Sequence, residues 1–234
     1  MATFERRIFL GMGLRVGLGA SAVLALAGCE SSQEASKLPG PAWPTDRRAS
    51  QPSRSTAPST PRPSGLPQNV VARTQWTRAK PIVALADPMG RVTRITIHHE
   101  GSTPFYSTAQ GDVSRRLESI RAGHVSKGWA DIGYHYVIDP SGRVWQGRPT
   151  SLQGAHVKDE NPGNLGIMVL GNFETQRPTQ AQLSTLDQFV ASQMRQYGVS
   201  VRNVYTHREL RPTACPGRSL QAYMQQTRTS TGRM

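Results

Sequence analysis

The chain holds only two cysteines, Cys29 and Cys215, and 15 acidic residues against 28 Lys and Arg. Its uninterrupted apolar run near the start, Val16 to Gly28, is preceded by Arg15. That run is shorter than the ~20 residues a membrane-spanning helix needs, which excludes a permanent helical span there. Between Cys29 and Gln68 aliphatic side chains nearly vanish, while eight Pro and eight Ser accumulate. Such a tract cannot bury a core, so residues 29–68 read as a solvated, partly polyproline linker. At about 3.1 Å per residue it reaches on the order of 100 Å when extended. Arg-rich helices, nucleic-acid motifs and internal repeats are also missing. The formal net charge of +13 is therefore scattered, and no nucleic-acid partner is expected. Attraction to an anionic polymer outside the cytoplasm fits the charge better.

What is present divides the chain into three. Residues 1–28 run from a basic segment through an apolar one to small residues, the pattern of an export signal. Leu26-Ala27-Gly28-Cys29 resembles the bacterial lipobox, whose Cys becomes the lipidated first residue of the mature protein. Arg6-Arg7-Ile8-Phe9-Leu10 resembles a twin-arginine export signal, with an ordinary basic leader as the alternative. Glu30 is not the Asp that usually retains a lipoprotein at an inner membrane. The expected location is the periplasmic face of an outer membrane, where the cell has one. Residues 69–234 keep 20 basic and 11 acidic residues and have the length of one domain with a proper core. A monomer is expected.

Within that domain the two structural periods alternate. Arg91 to Glu100 reads as a strand, with Ile95, Ile97 and His99 on one face and Arg94, Thr96 and His98 on the other. Asp112 to Ser126 reads as a helix, with Val113, Leu117, Ile120 and His124 at helical spacing and Gly128 after its end. Pro140-Ser141-Gly142 marks a hairpin between IGYHYVID and RVWQGR. Leu165 to Leu170 suits a strand buried on both faces. Thr179 with Gln182 three residues on opens a second helix that Gly198 closes. A strand is expected over Val201–Tyr205 and a terminal helix from Arg218. The fold class is α/β, a mixed central sheet flanked by helices in three layers.

THRELRPTACPG, Thr206 to Gly217, carries a His and a Cys eight residues apart, and Pro212 and Pro216 disfavour a continuous helix through it. A loop is expected, one able to turn His207 and Cys215 toward one point. With Cys29 lipidated, Cys215 would be a lone thiol in an oxidising compartment, and metal ligation is a good reason to keep it. Imidazole with thiolate suits zinc better than magnesium or calcium. Strand alternation prevents His98 and His99 from binding one ion. His99 shares the apolar face, so His98, expected to look into an open groove, supplies the third ligand. Three protein ligands with an open fourth position is the catalytic zinc arrangement.

ITIHHEG, IRAGHVSKGWADIGYHYVID, QGAHVKDENPGNLGIMVLGNF and THRELRPTACPG, in this order and spacing, resemble the zinc-dependent N-acetylmuramoyl-L-alanine amidases, which include phage-lysozyme-type amidases and peptidoglycan recognition proteins. VVARTQW, Val70 to Trp76, resembles the opening segment of that domain. The resemblance implies one Zn2+ on His98, His207 and Cys215, and cleavage of the amide between N-acetylmuramic acid and the L-alanine of a stem peptide. Binding of peptidoglycan or muropeptides without cleavage is the alternative. It also makes Tyr134 the active-site tyrosine. Where phage-type members carry a lysine two residues before the zinc cysteine, Thr213 stands here, as in amidase-active recognition proteins; it adds at most a hydrogen bond. His124, His156 and Asn172 are expected to border the groove, His124 equally well as a helix-end histidine. Glu100 is expected to be a bystander, and His135 a structural neighbour.

Overall fold

Alternation along Arg94–His99 does form a strand, β2, one position in from an edge of the sheet. The computed structural model describes residues 70–231, so the expected export signal, the expected lipidation site Cys29 and the expected linker lie outside the described residues. The other strands are β1 (Val70–Val71), β3 (Tyr136–Ile138), β4 (Val144–Gln146), β5 (Asn164–Val169) and β6 (Val204–Thr206). They make one sheet in the order β1-β4-β3-β5-β2-β6. The β3–β4 hairpin is antiparallel and the other pairings are parallel. Asp139 shapes the hairpin turn, its carboxylate accepting from the N–H groups of Ser141 and Arg143 and from the Trp145 indole.

Four helices complete the described domain: α1 (Gln110–Val125), α2 (Gln180–Tyr197), α3 (His207–Leu210) and α4 (Arg218–Thr231). The first turn of α2 is closed by the expected reciprocal bonds: Gln182 N–H donates to Thr179 Oγ1, and Thr179 N–H donates to Gln182 Oε1. Leu183, Leu186 and Val190 of α2 pack with Leu220 and Met224 of α4 over Ile95, Ile97, Leu165 and Ile167. On the opposite face Val113 and Leu117 of α1 cover Val137 and Met168. Covering on both faces is why β5 reads as a continuous apolar run. The three layers match the expected class.

Three local expectations are corrected. The segment Val201–Asn203 is a 3-10 turn, closed by Asn203 N–H donating to the Ser200 carbonyl, and only Val204–Thr206 joins the ladder. The proline-bounded loop begins as helix: Thr206 and Glu209 form a capping box that winds His207–Leu210 into one turn before Pro212. The face of β2 bearing Thr96 and His98 is not open, since both side chains are fully buried. The carboxyl ends of β2, β5 and β6 point the same way, which is where open α/β sheets place their ligands.

Candidate metal centre

Parallel pairing brings the first two donors together. Ile97 of β2 stands in register with Thr206 of β6, so the next residues, His98 and His207, emerge side by side. Their ring centroids are 4.8 Å apart. Cys215 arrives from the turn before α4. Arg208 braces that turn by donating to the carbonyls of Thr213 and Ala214, and Cys215 N–H donates to Thr213 Oγ1.

Ligand atoms of His98, His207 and Cys215 all lie within 4.8 Å of one another, the only such cluster of His, Cys, Asp and Glu among the described residues. Cys215 Sγ is 3.6 Å from His98 Nδ1. Zinc–nitrogen bonds of about 2.0–2.1 Å and zinc–sulfur bonds of about 2.3 Å, set tetrahedrally, hold N and S about 3.5 Å apart. Spacing and donor chemistry both fit zinc. Burial drives His98 well below its usual pKa, with His156 and His207 adding to the effect, so the ring is neutral, as a ligand must be. Burial likewise pushes the Cys215 thiol up to about 12. A bound cation is what favours the thiolate in such surroundings. His99 turns to the other face, where its Nδ1 accepts from Phe173 N–H at 3.1 Å. It is thereby committed away from the cluster.

Beside the cluster is a cavity of about 180 Å³ lined by Glu100, Ile120, Gly123, His124, Lys127, Tyr134 and Met168. The Tyr134 ring sits 5.2 Å from that of His98 and 5.9 Å from that of His124. Burial raises the phenol pKa, with electrostatic interactions from Cys215 and Glu100 acting in the same direction, so the hydroxyl stays protonated. Among the described residues that hydroxyl has no hydrogen-bond partner. His124 ends α1 and accepts from Gly133 N–H through Nδ1, leaving its hydrogen on Nε2. Thr213 supports Cys215 through its hydroxyl, as above.

Two residues expected to border the groove spend their side-chain polar atoms on partners within the protein. His156 is 7% exposed, with Nδ1 3.1 Å from His98 Nε2 and Nε2 3.0 Å from the Asn164 carbonyl, so both ring nitrogens are used inside the protein. Asn172 braces two loops, Nδ2 donating to the Ser102 carbonyl and Oδ1 accepting from Glu174 N–H. His135 is structural as expected, taking Gly166 N–H on Nδ1 and reaching the Leu152 carbonyl with Nε2. Conversely, Glu100 is no bystander. Because β2 stops at His99, alternation does not govern Glu100, and its carboxylate lines the cavity while pairing with Arg116 at 2.7 Å. Lys127 was also missed, although Ile120, His124 and Lys127 follow helical spacing in the sequence.

A sequence model described as N-acetylmuramoyl-L-alanine amidase matches residues 88–218. Peptidoglycan-recognition protein SC2 of Drosophila simulans is 30% identical over 153 residues, covering 64% of this chain and 82% of the relative. The crystal structure of Drosophila peptidoglycan recognition protein SD superposes with a TM-score of 0.61 at 31% identity, covering 67% of this chain and 93% of that one. Peptidoglycan recognition protein LE, solved in complex with tracheal cytotoxin, a monomeric diaminopimelic acid-type peptidoglycan, gives a TM-score of 0.58 at 25% identity over 64% of this chain and 88% of its own.

Proposed function

Because this chain belongs to the N-acetylmuramoyl-L-alanine amidase family, we propose that it is a zinc-dependent peptidoglycan hydrolase, cutting the amide between N-acetylmuramic acid and the L-alanine of the stem peptide. The observation that carries this reading is the convergence of His98, His207 and Cys215 ligand atoms within 4.8 Å, at the carboxyl ends of β2 and β6. These three residues would hold the metal. When bound, zinc supplies Lewis-acid polarisation of the scissile carbonyl and brings the pKa of water toward 7.

The chain's own groups do the rest. Tyr134, protonated and uncommitted, donates to the oxygen on which negative charge develops. Thr213 holds the Cys215 turn and carries no charge of its own. Nε2–H of His124 is left to donate to a sugar or peptide group in the cavity. The complex of protein LE with a monomeric peptidoglycan supports a muropeptide as the class of ligand. At the other end of the chain, lipid on Cys29 and the linker to residue 68 would tether this chemistry to a membrane facing the wall.

Digestion of purified peptidoglycan, followed by mass analysis, tests the proposal. Released stem peptides with a free L-alanine amino terminus are expected. New reducing sugar ends would make the protein a glycosidase. Binding without release would leave a recognition module, and either result overturns the hydrolase reading.

A further inference from the structure

Behind the candidate metal ligands runs a hydrogen-bonded file of three groups. The Asn164 carbonyl lies 3.0 Å from His156 Nε2, and His156 Nδ1 lies 3.1 Å from His98 Nε2. His98 Nδ1 then faces Cys215 Sγ at 3.6 Å. A carbonyl oxygen only accepts, so His156 must carry its hydrogen on Nε2. Its Nδ1 is consequently a lone pair, which takes the hydrogen from His98 Nε2. That leaves the lone pair of His98 on Nδ1, the atom turned toward Cys215. One backbone carbonyl thus dictates which nitrogen of a residue two steps away is free to bind a cation.

The file is built rigidly. A Cβ on Gly154 or Gly166 would come within 2.4 Å or 2.5 Å of His156 Cδ2, so two glycines open the slot in which this ring lies. Asn164 is fixed by its side chain, Oδ1 accepting from Thr96 Oγ1 and Nδ2 donating to the Glu160 carbonyl. His98 and Asn164 are fully buried, so water does not compete for these bonds.

We propose that His156 is a positioning residue for the metal centre: through the Asn164 carbonyl it sets the tautomer and ring orientation of His98 and thereby the affinity of the site for zinc. The proposal rests on the assignment of His98, His207 and Cys215 as ligands. Glutamine can reproduce the polarity, its carbonyl accepting from His98 and its amide donating to Asn164, whereas phenylalanine fills the slot and accepts nothing.

The test uses the full chain purified in detergent, with zinc affinity read by chelator competition and folding checked by thermal melting. His156→Phe is expected to weaken zinc binding by about 10- to 100-fold, the usual effect of losing a partner behind a ligand, while His156→Gln stays within a few-fold of the native chain. Native affinity in His156→Phe alongside loss in Cys215→Ser overturns the positioning role and leaves the metal assignment standing. Equal loss in both His156 variants overturns it too, since hydrogen-bond polarity would then not be what matters. A native chain that binds no zinc sinks the metal assignment instead. Independent of metal and of any variant, long-range 1H–15N correlations in the zinc-free chain, which has only six histidines, report tautomers directly. Nε2–H forms are expected for His98 and His156, and Nδ1–H on either overturns the proposal.

Discussion

Tyr134 is one hydroxyl among buried rings, and its protonated state makes it a donor rather than a base. Replacing it by phenylalanine keeps ring packing and removes only that donor. Tyr134→Phe should retain fold and zinc and lose on the order of 10² in turnover, the usual effect of deleting one such donor; undiminished turnover would reassign the tyrosine to packing. The two adjacent histidines separate just as sharply. His98→Ala should abolish zinc binding, whereas His99→Ala should keep it at a cost of about 1–3 kcal/mol in stability, because Phe173 N–H loses its acceptor in a buried site. Metal analysis paired with thermal melts of both variants decides it, and the opposite pattern would mean the register is wrong. The contrast between His98 and His99 was readable from alternation alone, and the candidate cluster of His98, His207 and Cys215 from that alternation together with the His-Cys loop, the scarcity of cysteine and the family resemblance. The place of His156 was not. Its partners lie on β2 and at the start of β5, and its slot depends on glycines at 154 and 166, a juxtaposition no local pattern encodes.

Among the elements, α2 and α4 share an acid that the proposed chemistry does not use. Asp187 is 6% exposed, accepts from Tyr223 Oη at 2.6 Å, and leaves Oδ1 without a partner. Burial raises its carboxyl to about 6, while the Tyr223 bond pulls the other way. The folded state therefore holds its proton more tightly than the unfolded chain does. Stability falls as pH rises from near 4 to about 6, and the penalty is complete above that window. Asp187→Asn should thus stabilise the protein at pH 7 by on the order of 1–3 kcal/mol, an advantage that fades toward pH 4. Melting curves of both proteins at the two pH values settle this; a gain that does not change with pH would refute the charge argument. Element boundaries were legible where local chemistry set them, as at the Thr179–Gln182 box and the hairpin. They failed around β6, where only three residues reach the ladder and Thr206–Glu209, a capping signature ahead of Pro212, begins a helical turn.

For the whole molecule, the proposed arrangement is a catalytic domain on a long tether. A cysteine bearing a diacylglyceryl group and an amide-linked chain is held firmly, unlike a singly acylated one. In that arrangement the expected linker would raise the domain's effective concentration near the wall within a bounded reach. Cys29→Ala should release the protein from the membrane fraction and leave turnover of soluble muropeptides unchanged. Deleting about half of residues 30–68 should preserve anchoring and soluble turnover while reducing digestion of intact wall in cells; equal digestion by the shortened protein would show that reach is not the linker's purpose.

β6 is a border strand of three residues, and it pairs with β2 through only Val204, Tyr205 and Thr206. The residue that immediately follows it is His207, whose partner in the cluster, His98, belongs to the neighbouring strand. An ion held by both would act as a rivet through the seam between the two strands. It would fasten an edge too short to secure itself and reject a slip of one residue, which would carry His207 away from His98. Chelation should then loosen that seam before the rest of the sheet, seen as faster amide exchange at Val204–Thr206 than along β5.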